Sequence, residues 1–252
     1  MKTEANYLGH RIPNKGVTVQ QPKVCAVQGF PVPTTVKELR AFLGLVGYFR
    51  EYFKDFATTA NALHQLLRKG QPFEWKADQQ KAFEALKREL TTAPVLAHYD
   101  QQKNCCCKTD ASSVGISAVL AQRDADGKER PVRFASRTLR GAELRYPVRE
   151  KEALAILFGV ENFREFLYGQ RFTVETDHES LKYLWTQPIK PDSRMGRMTE
   201  VLQKYDFDVR YRQGVANRNA DAISRHPNSK TPLSKVEEEM ATCEIQEVYS
   251  FA

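Results

Sequence analysis

Between Asn104 and Thr176 the chain abandons helical spacing for short apolar segments, and this change of period constrains the fold more than any other feature. Cys105 to Asp110, Val114 to Gln122 and Val132 to Ser136 read as strands, with a turn at Asp124 to Lys128. Their close succession predicts an antiparallel meander. A long helical pattern follows from Val148 to Phe166, ends near Gly169 and gives way to another strand, Arg171 to Thr176. Strands on both sides of a crossing helix predict an α/β core. Beyond it, Ser180 to Trp185, Arg197 to Lys204 and Arg218 to Ser224 read as helical and Phe207 to Arg212 as extended.

The front of the chain is different in kind. Residues 7–19 read as a hairpin, with YLGHRI and VTV as strands around Pro13-Asn14-Lys15-Gly16, and its pairing partners are expected outside this sequence. Thr35 with Glu38 forms a capping box that should open a helix from Val36 to Tyr52. Leu39, Phe42, Leu43, Val46, Phe49 and Phe53 recur on one face of it, the spacing of a buried stripe. A second helix is expected from Thr58 to Arg68, stopped by Gly70, and a third from Asp78 to just before Pro94. Three short helices of this kind predict a small bundle.

Four carboxylates stand in distinct settings on this framework. Asp110 and Asp177 close short strands, whereas Glu152 and Asp221 sit on helical patterns. Brought together, they would repel one another unless a divalent cation lay between them. Hard oxygen ligands favour Mg²⁺ or Mn²⁺, and a pair of such ions suits phosphodiester hydrolysis. Glu150 rivals Glu152, but the two point about 200° apart on a helix. The stripe Leu154, Ile156, Leu157, Val160 and Phe163 must face the sheet, which selects Glu152 and leaves Glu150 solvated.

Charge and cysteine content narrow the class of partner. A formal net charge of +7 and a pI near 9.1 suit a polyanion. No apolar stretch reaches the roughly 20 residues of a membrane span. MKTEANYLGH lacks the order of a signal peptide, so an intracellular location, cytoplasmic or nuclear, is expected. The five cysteines contain no CxxC pair. Cys105, Cys106 and Cys107 read as strand filler on alternating faces.

TDAS with GISAVLAQ, then YPVREKEALAI, FREFLYGQRFTVETDHESLKYL and NADAISR, resemble the RNase H domain of gypsy-like LTR-retrotransposon Pol polyproteins. Upstream, YLGHRIPNKGV, PTTVKELRAFLGLVGYFREYF and FEWKADQQKAFEALKRELTTAPVL resemble the end of the polymerase palm, the thumb and the connection of the same polyproteins. The resemblance implies a palm remnant at 1–30 and a helical thumb and connection at 31–100. An α/β RNase H-like domain with a mixed five-stranded sheet and flanking helices would follow at 101–227, and a disordered tail at 228–252. It also implies Mg²⁺-dependent cleavage of the RNA strand of an RNA–DNA hybrid. Asp110 and Asp177 would be the main ligands, Glu152 would complete the site, and Asp221 would hold a second, more labile ion.

The resemblance extends to the substrate and the rest of the polyprotein. Ser112, Ser113 and Arg137 are candidate contacts to the hybrid, with Arg145 and Arg149 as phosphate contacts. Asn217 either touches the scissile strand or caps the last helix. The stretch Tyr211-Arg212-Gln213-Gly214 lacks the histidine that many RNases H carry there, and His178 reads as the opening of the following helix. No Tyr-x-Asp-Asp precedes Tyr7. The parent would be an RNA-directed DNA polymerase whose palm and fingers are partners of this chain. A catalytically idle nucleic-acid-binding remnant is the alternative.

Overall fold

The computed structural model describes residues 4–14, 16–183 and 192–212. Two apolar cores organise them, one helical and one built on a five-stranded sheet. Among the described residues, no helix is long and apolar enough to cross a membrane.

The chain opens with β1 (Glu4–Tyr7), β2 (His10–Pro13) and β3 (Thr18–Val19), an antiparallel sheet in the order β1-β2-β3. The expected strand through YLGHRI is thus two strands, and β1 pairs with β2 inside the chain rather than with an external partner. The cause is a two-residue turn at Leu8 and Gly9, with φ of 47° and 81°. Such left-handed pairs match the strand twist of a tight hairpin. The turn through Pro13 and Gly16 then joins β2 to β3. Gly16 is required there, because an added Cβ would meet the Leu96 carbonyl oxygen at 2.2 Å.

Next come α1 (Gln21–Gln28), α2 (Val36–Tyr48), α3 (Phe56–Thr59), α4 (Asn61–Gln65) and α5 (Ala77–Thr91). α2 starts where the capping box predicts, the Thr35 hydroxyl accepting from the Glu38 N–H at 3.2 Å, but the reciprocal arm shifts by one residue, the Glu38 carboxylate accepting from the Thr34 N–H at 2.7 Å. It ends at Tyr48, and a 3₁₀ turn covers Arg50–Tyr52. The expected second helix is broken at Ala60 into α3 and α4. Leu39, Phe42, Val46, Phe49 and Phe53 are buried against Leu63, Phe83, Leu86 and Leu90, so the predicted stripe is the core of this helical unit.

The second core rests on β4 (Cys105–Ala111), β5 (Gly115–Arg123), β6 (Glu129–Thr138), β7 (Arg171–Thr176) and β8 (Asp206–Tyr211), in the order β6-β5-β4-β7-β8. β4, β5 and β6 form the predicted antiparallel meander, while β7 and β8 add parallel to β4. α6 (Val148–Asn162), followed by α7 (Arg164–Leu167), makes the crossover, and α8 (Arg194–Leu202) packs on α6. Cys105 and Cys107 turn into this core and Cys106 away from it. Gly159 lets α6 approach the sheet, because a Cβ there would lie 2.9 Å from Ala118 Cβ and 3.0 Å from Cys107 Sγ.

β5 is buried on both faces. Ile116, Ala118 and Leu120 face α6, and the helical unit covers the opposite face, where Phe134 of β6 joins the helical core. Arg133 adds a seam, with Nε 3.1 Å from Glu51 and Nη1 2.5 Å from Glu165. Farther along that face, Lys108 and Arg212 alternate with Glu129 and Glu175 in one ion-pair network across β4, β6, β7 and the end of β8.

Candidate metal centre

β4 and β7 are parallel, with Lys108 opposite Glu175. Continuing that register two residues brings Asp110 beside Asp177, which follows the last residue of β7. Glu152 approaches from α6 and is 3% exposed, whereas both aspartates are exposed. One carboxylate oxygen from each of the three residues lies within 4.8 Å of the others.

Crowding leaves a chemical signature. The Glu152 carboxyl is pushed up to about 8, first by loss of water and then by the charges of Asp177 and Asp110. Asp110 is also raised, by loss of water, Asp55 and Asp177 in that order, with Lys54 opposing. The Ala111 N–H offsets part of the shift at both groups. Glu152 Oε2 is buried without a hydrogen-bond partner. Burying an unsatisfied carboxyl oxygen is costly unless a proton or a cation serves it. The donor set is all oxygen and all acidic, so it fits a hard divalent cation such as Mg²⁺ or Mn²⁺.

The other candidates fall into three groups. Asp221, Asn217 and the helix Arg218 to Ser224 lie outside the described residues. Two proposed substrate contacts are engaged internally. The Ser112 hydroxyl accepts from the Gly115 N–H at 2.9 Å and donates to the Gly115 carbonyl at 3.0 Å, shaping the β4–β5 turn. Arg137 grips Glu143 with two bonds of 2.7 and 3.0 Å and lies over the Phe158 ring. Arg145, ending the 3₁₀ turn Gly141–Arg145, is exposed, and Arg149 is half-buried in the first turn of α6.

Two neighbours differ in instructive ways. Glu150 is not simply solvated: Arg194 Nε of α8 lies 3.2 Å from it and stacks over Tyr146 at 4.3 Å. Helical phase correctly turns Glu150 away from the cluster, but α8, a tertiary neighbour, supplies its partner. His178 opens a 3₁₀ turn over Glu179–Tyr183, its carbonyl accepting from Leu181. Lys54 and Asp55 are the residues sequence reasoning missed. They act on Asp110 from the helical unit, and no local spacing links positions so far apart.

Comparison with known proteins agrees with this architecture. The family described as "RNase H-like domain found in reverse transcriptase" matches residues 75–174. The Pol polyprotein of transposon 412 from Drosophila melanogaster is 37% identical over 222 residues, covering 88% of this chain and 18% of that polyprotein. The transposon Tf2-3 polyprotein of Schizosaccharomyces pombe is 35% identical over 241 residues, 94% of this chain and 18% of the relative. The chain therefore spans about a fifth of the length of these relatives. Among solved structures, the foamy viral protease-reverse transcriptase in complex with RNA/DNA hybrid superposes with a TM-score of 0.69 at 21% identity. That match covers 84% of this chain and 29% of the viral one, and at such identity it speaks for the fold.

Proposed function

The chain carries the RNase H-like domain found in reverse transcriptases and is homologous to the Pol polyproteins of LTR transposons, and on that premise we propose that it hydrolyses the RNA strand of RNA–DNA hybrids with Mg²⁺. The observation that carries this reading is the convergence of Asp110, Glu152 and Asp177 within 4.8 Å, one of them with an unserved buried oxygen. A divalent ion held there would supply Lewis acidity toward a phosphate oxygen and acidify a bound water. Asp110 and Asp177 stand at exposed strand ends, where a nucleic-acid backbone can reach them. Glu152 would hold it from the buried side, where a bound cation would favour its ionised form. Asp221 is proposed as the ligand of a second ion, and Mn²⁺ suits the same oxygens.

Recognition of a hybrid rests on its shape and its 2′-hydroxyls rather than on base edges. The Ser112–Ser113 backbone, Arg145 and Arg149 are the proposed contacts near the cluster. Lys37, Arg40 and Arg50, exposed on and just after α2, are proposed phosphate contacts from the helical unit. The whole polyprotein is proposed to be an RNA-directed DNA polymerase, whose palm and fingers would complete the substrate channel.

The test is cleavage of a hybrid labelled on each strand, with Mg²⁺ or Mn²⁺, by the wild type, Asp110→Asn and Asp177→Asn. Cutting of the RNA strand alone, reduced at least about 100-fold by either change, is expected, as for loss of a transition-state interaction. Cutting without metal, or of the DNA strand, would overturn the reading. Salt-sensitive binding by a folded protein that does not cut would favour a nucleic-acid-binding remnant.

A further inference from the structure

The ladder between β4 and β7 stops at Lys108 and Glu175, although both strands continue. β4 runs on beside β5, where Asp110 pairs with Ser117 and Ala111 with Ile116, and β7 runs on beside β8, where Thr176 pairs with Tyr211. Asp110 and Asp177 therefore stand across a notch, each carried by a different neighbouring strand. Two like charges at its mouth push the strand ends apart. A fixed width needs a tie at the base of the notch.

The ion-pair network provides that tie. Lys108 precedes Asp110 by two residues along one face of β4, a step of about 7 Å. Its Nζ bonds Glu129 and lies 3.8 Å from Glu175 Oε2, two residues before Asp177. From the other side, Arg212 Nη1 donates to the same Glu175 oxygen at 3.0 Å and lies 3.7 Å from Glu129 Oε2. The Arg212 N–H also donates to the Thr176 carbonyl at 2.9 Å. Arg212 thus grips both of the residues that lead into Asp177. The Lys108 and Glu175 side chains are only 15% and 13% exposed. Ion pairs so far out of water add little stability over apolar residues of the same volume, so stability alone is a poor reason for them here.

We propose that Arg212 is a positioning residue of the metal centre: by clasping Glu175 and Thr176 it sets the separation of Asp177 from Asp110, and with it the size of cation that the notch accepts. This inference rests on the metal-dependent reading above. Mg²⁺ is small and demands near-ideal octahedral geometry, whereas Ca²⁺ tolerates longer and more irregular coordination. A notch held at one width favours the first, and a loosened notch favours the second. The signature of Arg212 is therefore selectivity. Loss of its charge by itself would act differently, drawing every cation more strongly toward the acids.

The experiment is calorimetric titration of Mg²⁺ and Ca²⁺ into the full chain as wild type, Arg212→Gln, Arg212→Lys, Arg123→Gln and Asp110→Asn, with folding of each checked by thermal unfolding in chelator. Arg212→Gln should weaken Mg²⁺ affinity about tenfold, the lower end of what loss of a ligand-orienting partner costs, and leave Ca²⁺ affinity within about twofold. Arg212→Lys keeps the charge with fewer donors and should fall between, and it decides on the same ratio if the glutamine variant does not fold. Arg123→Gln removes an equal charge from β5, 3.7 Å from Glu129, and should leave the ratio of the two affinities unchanged. If Asp110→Asn weakens binding of both ions but the ratio in Arg212→Gln stays within about twofold of wild type, the role of Arg212 is refuted alone and the network serves only the fold. An equal change of ratio in Arg123→Gln would refute it as well, because a general charge effect would account for both. Absence of saturable binding to the wild type, or no effect of Asp110→Asn, would overturn both this inference and the metal-dependent reading.

Discussion

Replacing Glu152 by glutamine should stabilise the metal-free protein at pH 8 while destroying its affinity for divalent ions. The Glu152 carboxyl moves from an ordinary 4.5 to about 8 on folding. Between those values the folded chain keeps a proton that the unfolded chain has lost, so stability falls as pH rises through this window and levels off above it. Each unit is worth about 1.4 kcal/mol, which makes the penalty about 3–5 kcal/mol by pH 8. Glutamine has nearly the same shape and no charge to lose, so the variant avoids that penalty. At about 2–4 °C per kcal/mol, its melting temperature in chelator should exceed that of the wild type by roughly 10 °C at pH 8 and by little at pH 4.5. His64, held below its usual range by loss of water, acts oppositely as pH rises through its own titration. The difference between variant and wild type removes that contribution, since His64 is common to both. Added Mg²⁺ should close the gap, because only the wild type gains binding energy. A wild type as stable as the variant at pH 8 in chelator would refute the reasoning.

Four further outcomes follow from the site and the fold. Divalent-ion binding should release about one proton below pH 8, so the logarithm of affinity should rise with a slope of about one between pH 5.5 and 7.5; a flat calorimetric profile would contradict the protonated Glu152. Gly159→Ala should cost about 1–3 kcal/mol in urea unfolding, because the new methyl would meet Ala118 and Cys107 on a sheet that cannot recede; an unchanged midpoint would count against the close approach of α6. Arg145→Ala should weaken hybrid binding and flatten its salt dependence by about one unit of slope. Arg137→Ala should instead lower stability by removing the two-bond ion pair to Glu143, which would keep only the Arg140 N–H, with little effect on that slope; the reverse pattern would make Arg137 the phosphate contact.

The parts of the fold that sequence reveals are those whose cause is local or periodic. Alternation of Cys105, Cys106 and Cys107 fixes the faces of β4, and the phase of α6 separates Glu152 from Glu150. Thr35 and Glu38 mark the start of α2 because the cap is a short-range bond. Local signals fail where the cause is elsewhere. Leu8 is an unusual residue for a left-handed turn, so the β1–β2 hairpin carries no turn signature before Gly9. α1 has only two buried residues, Val24 and Val27, and thus little periodicity to detect. The pairing of Glu150 with Arg194 depends on how helices dock, which no spacing along the chain encodes.

The parallel pairing of β4 with β7 has a consequence for how the protein folds. Asp110 and Asp177 meet only after β5, β6 and α6 have been threaded between them, a non-local closure of the slow-forming kind. Until then the meander leaves the β7-facing side of β4 open, along Cys105 to Lys108, as an unpaired apolar edge. Such edges recruit other chains. Lys108 sits in that segment, and its ion pair in the finished sheet reaches Glu175 on the arriving strand. While β7 is still absent, the same ammonium group opposes edge-to-edge association, so a neutral residue at 108 should lower the yield of soluble protein on refolding more than it lowers the stability of the native state.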